Sequence, residues 1–252
     1  MPALEAKGVS RHFGGVQALQ GVSLAIDAGE LVAVIGPNGA GKSTLFNVLT
    51  GVTPASGGSV VVAGEEVTDW PPFRIARAGV ARTLQVPRPF RELTVLENLL
   101  VALDSESQLG WVAGMLRPLR AGREERGRRA QAMELLEEAR LARLADSYPE
   151  QLPFGLLQRL EMVRALATRP RVLLLDEPGA DLEGSELDAM VTTIEGIRAE
   201  GVAVLWIEHH LDLVLRTAPR IHVLANGQSL TEGTPEAVMA DRRVQEAYVG
   251  VG

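Results

Sequence analysis

Residues Gly36 to Thr44 read Gly-Pro-Asn-Gly-Ala-Gly-Lys-Ser-Thr, which matches the spacing G-x-x-x-x-G-K-S/T. Such a run can hold a polyphosphate. Its glycines let the backbone turn N–H groups toward phosphate oxygens, and a helix that follows points its positive end at the same place. Gly36, Pro37, Asn38, Gly39, Ala40, Gly41, Lys42, Ser43 and Thr44 are therefore the candidate phosphate-binding residues. Lys42 would reach the β- and γ-phosphates, and the Ser43 hydroxyl would coordinate Mg²⁺. The context agrees, because the apolar run Leu31 to Ile35 precedes the loop and a helix-competent segment, Lys42 to Thr50, follows it.

A second chemical group stands at Val172 to Glu177, where an apolar run ends in two acids. An acid at the end of a buried strand is costly unless it meets a cation or caps a helix. Beside a phosphate loop, Asp176 is placed to hold the Mg²⁺ shell. Glu177 is placed to polarise an attacking water, since phosphoryl transfer asks for a positioned nucleophile more than for covalent chemistry. The two segments together predict ATP hydrolysis with Mg²⁺.

The elements that must position these groups are legible as short apolar runs rich in branched residues: Leu31 to Ile35, Val172 to Leu175, Val202 to Ile207 and Ile221 to Leu224. Separated by helix-like stretches, they predict strands buried on both faces of a mostly parallel sheet, an α/β fold. The more alternating segments Val22 to Ile26 and Ser59 to Ala63, with the turn at Ser56-Gly57-Gly58, predict antiparallel strands beside it. Between about Pro87 and Pro153 the pattern becomes helical, around Val95 to Leu103 and Ala130 to Leu144, and predicts a subdomain inserted into the core. Within it, Gly122 to Arg129 is a charge run, a solvated helix face or a loop. Leu109 to Leu119 is apolar and is either a packed loop or a surface that touches a membrane partner. No internal repeat interrupts this organisation.

The composition excludes several function classes. With 252 residues, 46% hydrophobic and 23% charged, the chain suits one large globular domain rather than a multi-domain machine. A net charge of -7 disfavours nucleic acid as a partner, because that surface usually demands a positive face. The absence of cysteine removes disulfides, thiolate metal sites and cysteine nucleophiles. The N-terminus has no basic stretch leading into an apolar core, so cytosolic residence is the expectation. No apolar run approaches the ~20 residues of a spanning helix, so any work at a membrane must go through partners.

Phosphate loop, strand-end acids and the segments between them resemble the ATP-binding cassette (ABC) family of transporter ATPases over essentially the whole chain. The resemblance implies a P-loop NTPase core at 1–86 and 154–252 with an antiparallel β subdomain, a helical subdomain at about 87–153, and a family signature at 152–158. It also implies roles. Gln85 would contact Mg²⁺ or the attacking water, His209 would contact the γ-phosphate, and Phe13 would stack on adenine. His209 has His210 as its neighbour, so its assignment rests on its spacing after Val202 to Ile207. Gly155, in the signature, would face the nucleotide bound to a second subunit.

The signature departs from the usual LSGGQ. Pro153 stands in place of the serine, Phe154 in place of a glycine and Leu156 in place of the glutamine. The loop Gly179-Ala180-Asp181-Leu182-Glu183 also departs from the family's serine-alanine-leucine-aspartate. The proline-aromatic-glycine signature, the segment Arg82 to Ala102 and the C-terminal Gly233 to Gly250 resemble the ATP-binding subunit of branched-chain amino-acid importers; urea and amide importers are near neighbours. Leu156-Leu157 is unusual even there, where polar residues are usual. The resemblance implies integral-membrane permease subunits, a second cassette, identical or different, and indirectly an extracytoplasmic substrate-binding protein. It places the chain on the inner face of the cell membrane, held there by the permease. With a second, different cassette, the two ATP sites would be unequal. A soluble cassette ATPase outside transport is the alternative; a switch GTPase is disfavoured by the lack of an Asn-Lys-x-Asp motif.

Overall fold

Leu31 to Ile35, Val172 to Asp176 and Ala203 to Ile207 have every residue buried, as strands covered on both faces require. In the computed structural model, which describes residues 1–104, 118–180, 182 and 184–249, ten strands form two sheets. They are β1 (Leu4–Phe13), β2 (Val16–Ile26), β3 (Leu31–Ile35), β4 (Gly57–Val62) and β5 (Glu65–Glu66), followed by β6 (Val80–Arg82), β7 (Val172–Asp176), β8 (Ala203–Ile207), β9 (Arg220–Ala225) and β10 (Gln228–Gly233). One sheet runs β10-β9-β3-β8-β7-β6, with all pairs parallel except β9 with the edge strand β10. The other is antiparallel in the order β2-β1-β4-β5. The α/β architecture expected from the sequence is the one observed.

Nine helices join the strands among the described residues: α1 (Lys42–Leu49), α2 (Pro72–Arg77), α3 (Val95–Asp104), α4 (Pro118–Glu138), α5 (Phe154–Ala167), α6 (Ser185–Ala199), α7 (Leu211–Thr217), α8 (Pro235–Ala240) and α9 (Arg242–Val249). Chain contacts divide the protein into two units, 1–85 with 171 onward, and 86–170. The second unit therefore includes α5, beyond the limit at 153 that the sequence suggested. The reason is packing: Leu160, Val163 and Ala167 of α5 are buried in one cluster with Leu96 and Leu99 of α3 and Leu136 of α4. The charge run at 122–129 lies within α4, which ends six residues before Leu144 because Arg140 takes a left-handed φ of 58° and Leu141 N–H donates back to Leu136 O at 2.7 Å. Residues 109–117 of the apolar segment lie outside the described residues.

In the first unit, a hairpin supports the phosphate loop. β9 and β10 are joined by Asn226-Gly227, both at positive φ, the two-residue turn whose twist suits antiparallel strands. Gly227 N–H donates to Ala40 O at 3.0 Å, and Gln20 N–H donates to Gly227 O at 2.8 Å, so the turn is tied to the loop and to β2. At the hairpin's other end, Arg220 donates to both oxygens of Glu30 at 2.6 and 2.7 Å, to Ala25 O at 2.7 Å, and to Glu232. Buried His222 stands between Glu232, at 2.9 Å from Nδ1, and Ser229, at 3.1 Å from Nε2.

The hydrogen bond from His222, with the positive charge of Arg220, holds the Glu232 carboxyl below its usual range despite partial burial. A depressed carboxylate stabilises the fold above the unfolded-state value, 4.5, and that contribution is lost as pH falls through the folded-state value. Glu232→Gln is therefore expected to lower stability at neutral pH, with the gap to wild type narrowing as acid is added below that value. Urea unfolding midpoints across the pH range measure it.

Candidate active site

The phosphate loop begins where β3 ends, at a backbone position that tolerates no side chain. Gly36 has φ 150°, and a Cβ there would lie 2.0 Å from Leu224 O on neighbouring β9. At the loop's far end Gly41 caps α1 with φ 103°, and a Cβ there would lie 2.6 Å from Ala18 O. Because glycine offers no capping side chain, α1 has no side-chain cap hydrogen bond, and its first-turn N–H groups are left for an anion. Buried Lys42 donates to Gly36 O at 2.7 Å and to Pro37 O at 3.1 Å, which folds the loop over its ammonium. Burial lowers the Lys42 pKa, against the raising influence of Glu177 and Asp176.

The loop forms one wall of a cavity of about 750 Å³. Asn38 to Thr44 line it together with Glu177 and His209, while Val16, Gln17 and Gln20 of β2 and the Asn226-Gly227 turn close the other side. Phe13 is not among the lining residues. The residue is 47% exposed, and the Arg11 guanidinium lies 4.5 Å from its ring centroid.

Glu177 follows β7 immediately and adopts φ 51°, an uncommon conformation for a residue with a Cβ, while its N–H donates to Ile207 O at 2.9 Å. That backbone turn presents the carboxylate to two side chains from other loops. Gln85 Nε2 donates to Oε2 at 2.5 Å, and His209 Nε2 lies 2.5 Å from Oε1. Gln85, Glu177 and His209, far apart in sequence, are brought together, with Gln85 hydrogen-bonded to one carboxylate oxygen and the His209 imidazole against the other.

Three residues of this site escaped the sequence reading. Arg82, at the end of β6, donates to Asp176 Oδ2 at 2.6 Å and to Asn47 Oδ1 of α1 at 2.6 Å. Glu208, only 2% exposed, follows β8 directly, and accepts from the N–H groups of Gly179 at 3.3 Å, His209 at 2.8 Å and His210 at 3.2 Å. A Cβ on Gly179 would stand 2.8 Å from Glu208 Oε2. The rule that draws attention to Asp176, an acid closing an apolar run, applies equally to Glu208; nothing comparable marks Arg82 or Asn47. Asp181 and Glu183 of this loop lie outside the described residues.

Of the oxygen donors expected for Mg²⁺, the Ser43 hydroxyl belongs to a residue that lines the cavity, whereas Asp176 and Gln85 do not line it and bond to Arg82 and Glu177. Hard donors of this kind suit Mg²⁺, which takes one or two protein oxygens and fills its shell with water and phosphate. No group of three His, Cys, Asp or Glu among the described residues is placed to hold a metal by itself.

In the second unit, Gly155 lies in the first turn of α5, behind Pro153, which caps the helix without a side-chain hydrogen bond. Phe154 is 38% exposed, whereas Leu156 and Leu157 pack partly buried against the helical core. Their apolar character follows from that burial. Among the described residues no helix is long and apolar enough to cross a membrane.

The sequence model of the ABC transporter family matches residues 19–180, and that of the branched-chain amino acid ATP-binding cassette transporter C-terminal region matches residues 229–252. The chain is 41% identical over 250 residues to the high-affinity branched-chain amino acid transport ATP-binding protein BraF of Pseudomonas aeruginosa, covering 99% of this chain and 98% of that protein. Among solved structures, the ADP conformation of an ATP-binding cassette of an ABC transporter superimposes with a TM-score of 0.85 at 33% identity, over 99% of both chains. A dimeric bacterial ABC transporter cassette gives 0.79 at 27% identity, over 92% of this chain and 98% of that one.

Glu208→Ala would leave the Gly179, His209 and His210 N–H groups without their acceptor. It is expected to cost about 1–3 kcal/mol for a buried donor left unpaired, whereas Glu208→Gln, which keeps an acceptor oxygen, costs less. Denaturant midpoints at unchanged m-value measure both.

Proposed function

Since this chain belongs to the ABC transporter family of ATP-binding cassettes, which hydrolyse ATP, we propose that its hydrolysis drives an importer of branched-chain amino acids. The observation that carries this reading is the likeness to BraF from end to end, C-terminal segment included. Co-purification of the chain with its permease and extracytoplasmic binding protein, then a ligand screen on that protein, tests it. A branched-chain amino acid is the expected tightest ligand; urea or an amide would overturn the substrate assignment.

At the site, residues Gly36 to Thr44 wrap the phosphates of ATP with backbone N–H groups, aided by the uncapped start of α1. Lys42, now bonded to loop carbonyls, transfers its donors to the β- and γ-phosphates. Ser43, Asp176 and Gln85 would hold Mg²⁺, which when bound offsets charge on the β- and γ-phosphate oxygens. Glu177 orients the attacking water, while Gln85 and His209 fix its two oxygens in place. His209 also meets the γ-phosphate. Adenine stacks on the exposed part of Phe13, whose ring carries Arg11 as well.

A second cassette completes the arrangement, in keeping with the dimeric relative. Gly155 and the N-terminal turn of α5 face the partner's nucleotide, without the hydroxyl that Pro153 cannot supply. Permease subunits hold the pair at the inner face of the membrane and take up its motion. Where the partner is a different cassette with a serine in its signature, the two sites work unequally.

Glu177→Gln is expected to lower ATP turnover about 10²–10⁴-fold, the range of a lost general base, while nucleotide binding is retained. In the assembled transporter, the same change made separately in this chain and in a differing partner should give unequal losses of phosphate release. Equal losses would sink the inequality.

A further inference from the structure

Arg82 links three parts of the nucleotide site through one side chain. It is the last residue of β6, the short edge strand paired in parallel with β7, and Gln85 follows three residues later. Its Nη2 donates to Asp176 Oδ2 at 2.6 Å and its Nη1 to Asn47 Oδ1 at 2.6 Å, on the helix that Lys42 begins. The guanidinium lies 5.6 Å from the Phe46 ring of the same helix, and its Nε is buried with no hydrogen-bond partner. The side chains of Arg82 and Asp176 are 14% and 10% exposed, so water contributes little to either charge. The backbone reinforces the link: Thr83 N–H donates to Leu174 O at 3.0 Å, and Asp176 N–H to Thr83 Oγ1 at 3.4 Å.

An arginine bound this closely has an electrostatic consequence for the site. Asp176 and Glu177 place two carboxylates beside a loop meant for phosphates, and Lys42 is one cation shared among all of them. A buried carboxylate without a cation is strongly penalised, and an incoming polyphosphate adds to the repulsion. Arg82 commits only Oδ2, leaving Oδ1 as the oxygen for a metal shell.

We propose that Arg82 is a positioning residue that serves as a resident counter-ion for Asp176, so that the site accepts nucleotide before or without Mg²⁺ and keeps Asp176 aimed for the metal when it arrives. This rests on the reading of Asp176 as a Mg²⁺ ligand, and it adds a device that sets how strongly nucleotide binding depends on the metal. Arg82 acts through Asp176 rather than on the substrate.

Binding of ADP to the full chain, with Mg²⁺ and with EDTA, reads the device without turnover. Wild type is expected to bind ADP more tightly with Mg²⁺; no difference would overturn the metal reading, and this inference with it. Arg82→Met is expected to weaken metal-free ADP binding about tenfold, in line with loss of a charge-assisted pair, and to weaken Mg²⁺-ADP binding much less. Equal weakening under both conditions would mark a merely structural role and overturn the proposal while leaving the metal reading intact. Asp176→Asn added to Arg82→Met should restore metal-free binding to near wild type, since no carboxylate is left to neutralise; failure to restore it also overturns the proposal. If Arg82→Met alone does not fold, the test falls on Asp176→Asn and the double variant, which should bind metal-free ADP equally because Arg82 then has no carboxylate to neutralise. Weaker binding by the double variant would show that Arg82 acts directly or structurally and would sink the idea.

Discussion

Acids at the ends of strands that are buried on both faces are the constraint from which the site is built. β7 and β8 carry no polar group until Asp176 and Glu208, where the chain must present a charge with little water to solvate it. An isolated carboxylate in that setting faces an idealised cost of order 20 kcal/mol, so each must recruit partners. Asp176 recruits the Arg82 guanidinium; Glu208 recruits three backbone N–H groups; Glu177, one residue beyond Asp176, recruits Gln85 and His209. Those partners come from the last residue of β6 and from the loops after β6, β7 and β8, so satisfying three acids draws three loops to the carboxyl ends of parallel strands. Open α/β sheets bind ligands at that edge.

How much of this a sequence discloses depends on whether the partners are local. Gly36 to Thr44 are contiguous, and their chemistry and pattern coincide in nine residues, so the loop is legible at once. The buried strands are legible too, because burial on both faces leaves an unbroken apolar run. Arg82 and Asp176 are 94 residues apart, and their pairing exists only because β6 and β7 align in parallel with Arg82 opposite Leu174. No spacing encodes that. α5 reads as a helix from its residues, but periodicity cannot say which core its apolar face enters, and its burial with α3 and α4 carries the helical unit to residue 170. Phe13 is similar: its type suggests stacking, while its exposure and its contact with Arg11 follow from a strand pairing.

The altered signature follows from the same balance between burial and charge. Leu156 and Leu157 give apolar surface to the core of the helical unit in place of polar side chains, and Pro153 removes a hydroxyl. What survives is the start of α5. Like α1, which follows Gly41, it follows a residue that provides no side-chain cap, so each unit presents a helix whose first-turn N–H groups have no side-chain acceptor. Backbone donors of this kind do not depend on the identity of the side chains around them. A signature can therefore drift at 153, 154 and 156 and still offer a phosphate its positive end, provided that the glycine and the helix remain.

Glu177 shows how the arrangement reconciles fixing a group with using it. Its backbone is held at an uncommon φ, and both carboxylate oxygens already have a partner, a hydrogen bond from Gln85 on one and the His209 imidazole against the other. A carboxylate has about four lone-pair sites, so two partners leave room for a water without either one letting go. The two partners meet different oxygens and come from different loops, which restricts rotation about the terminal torsion as well as displacement of the group. For a transition state in which bond-making to the nucleophile is weak, orientation of that water matters more than force of proton abstraction. A glutamate flanked on both oxygens, on a strained backbone, beyond a strand whose last acid is held by an arginine, has its carboxylate confined to one orientation.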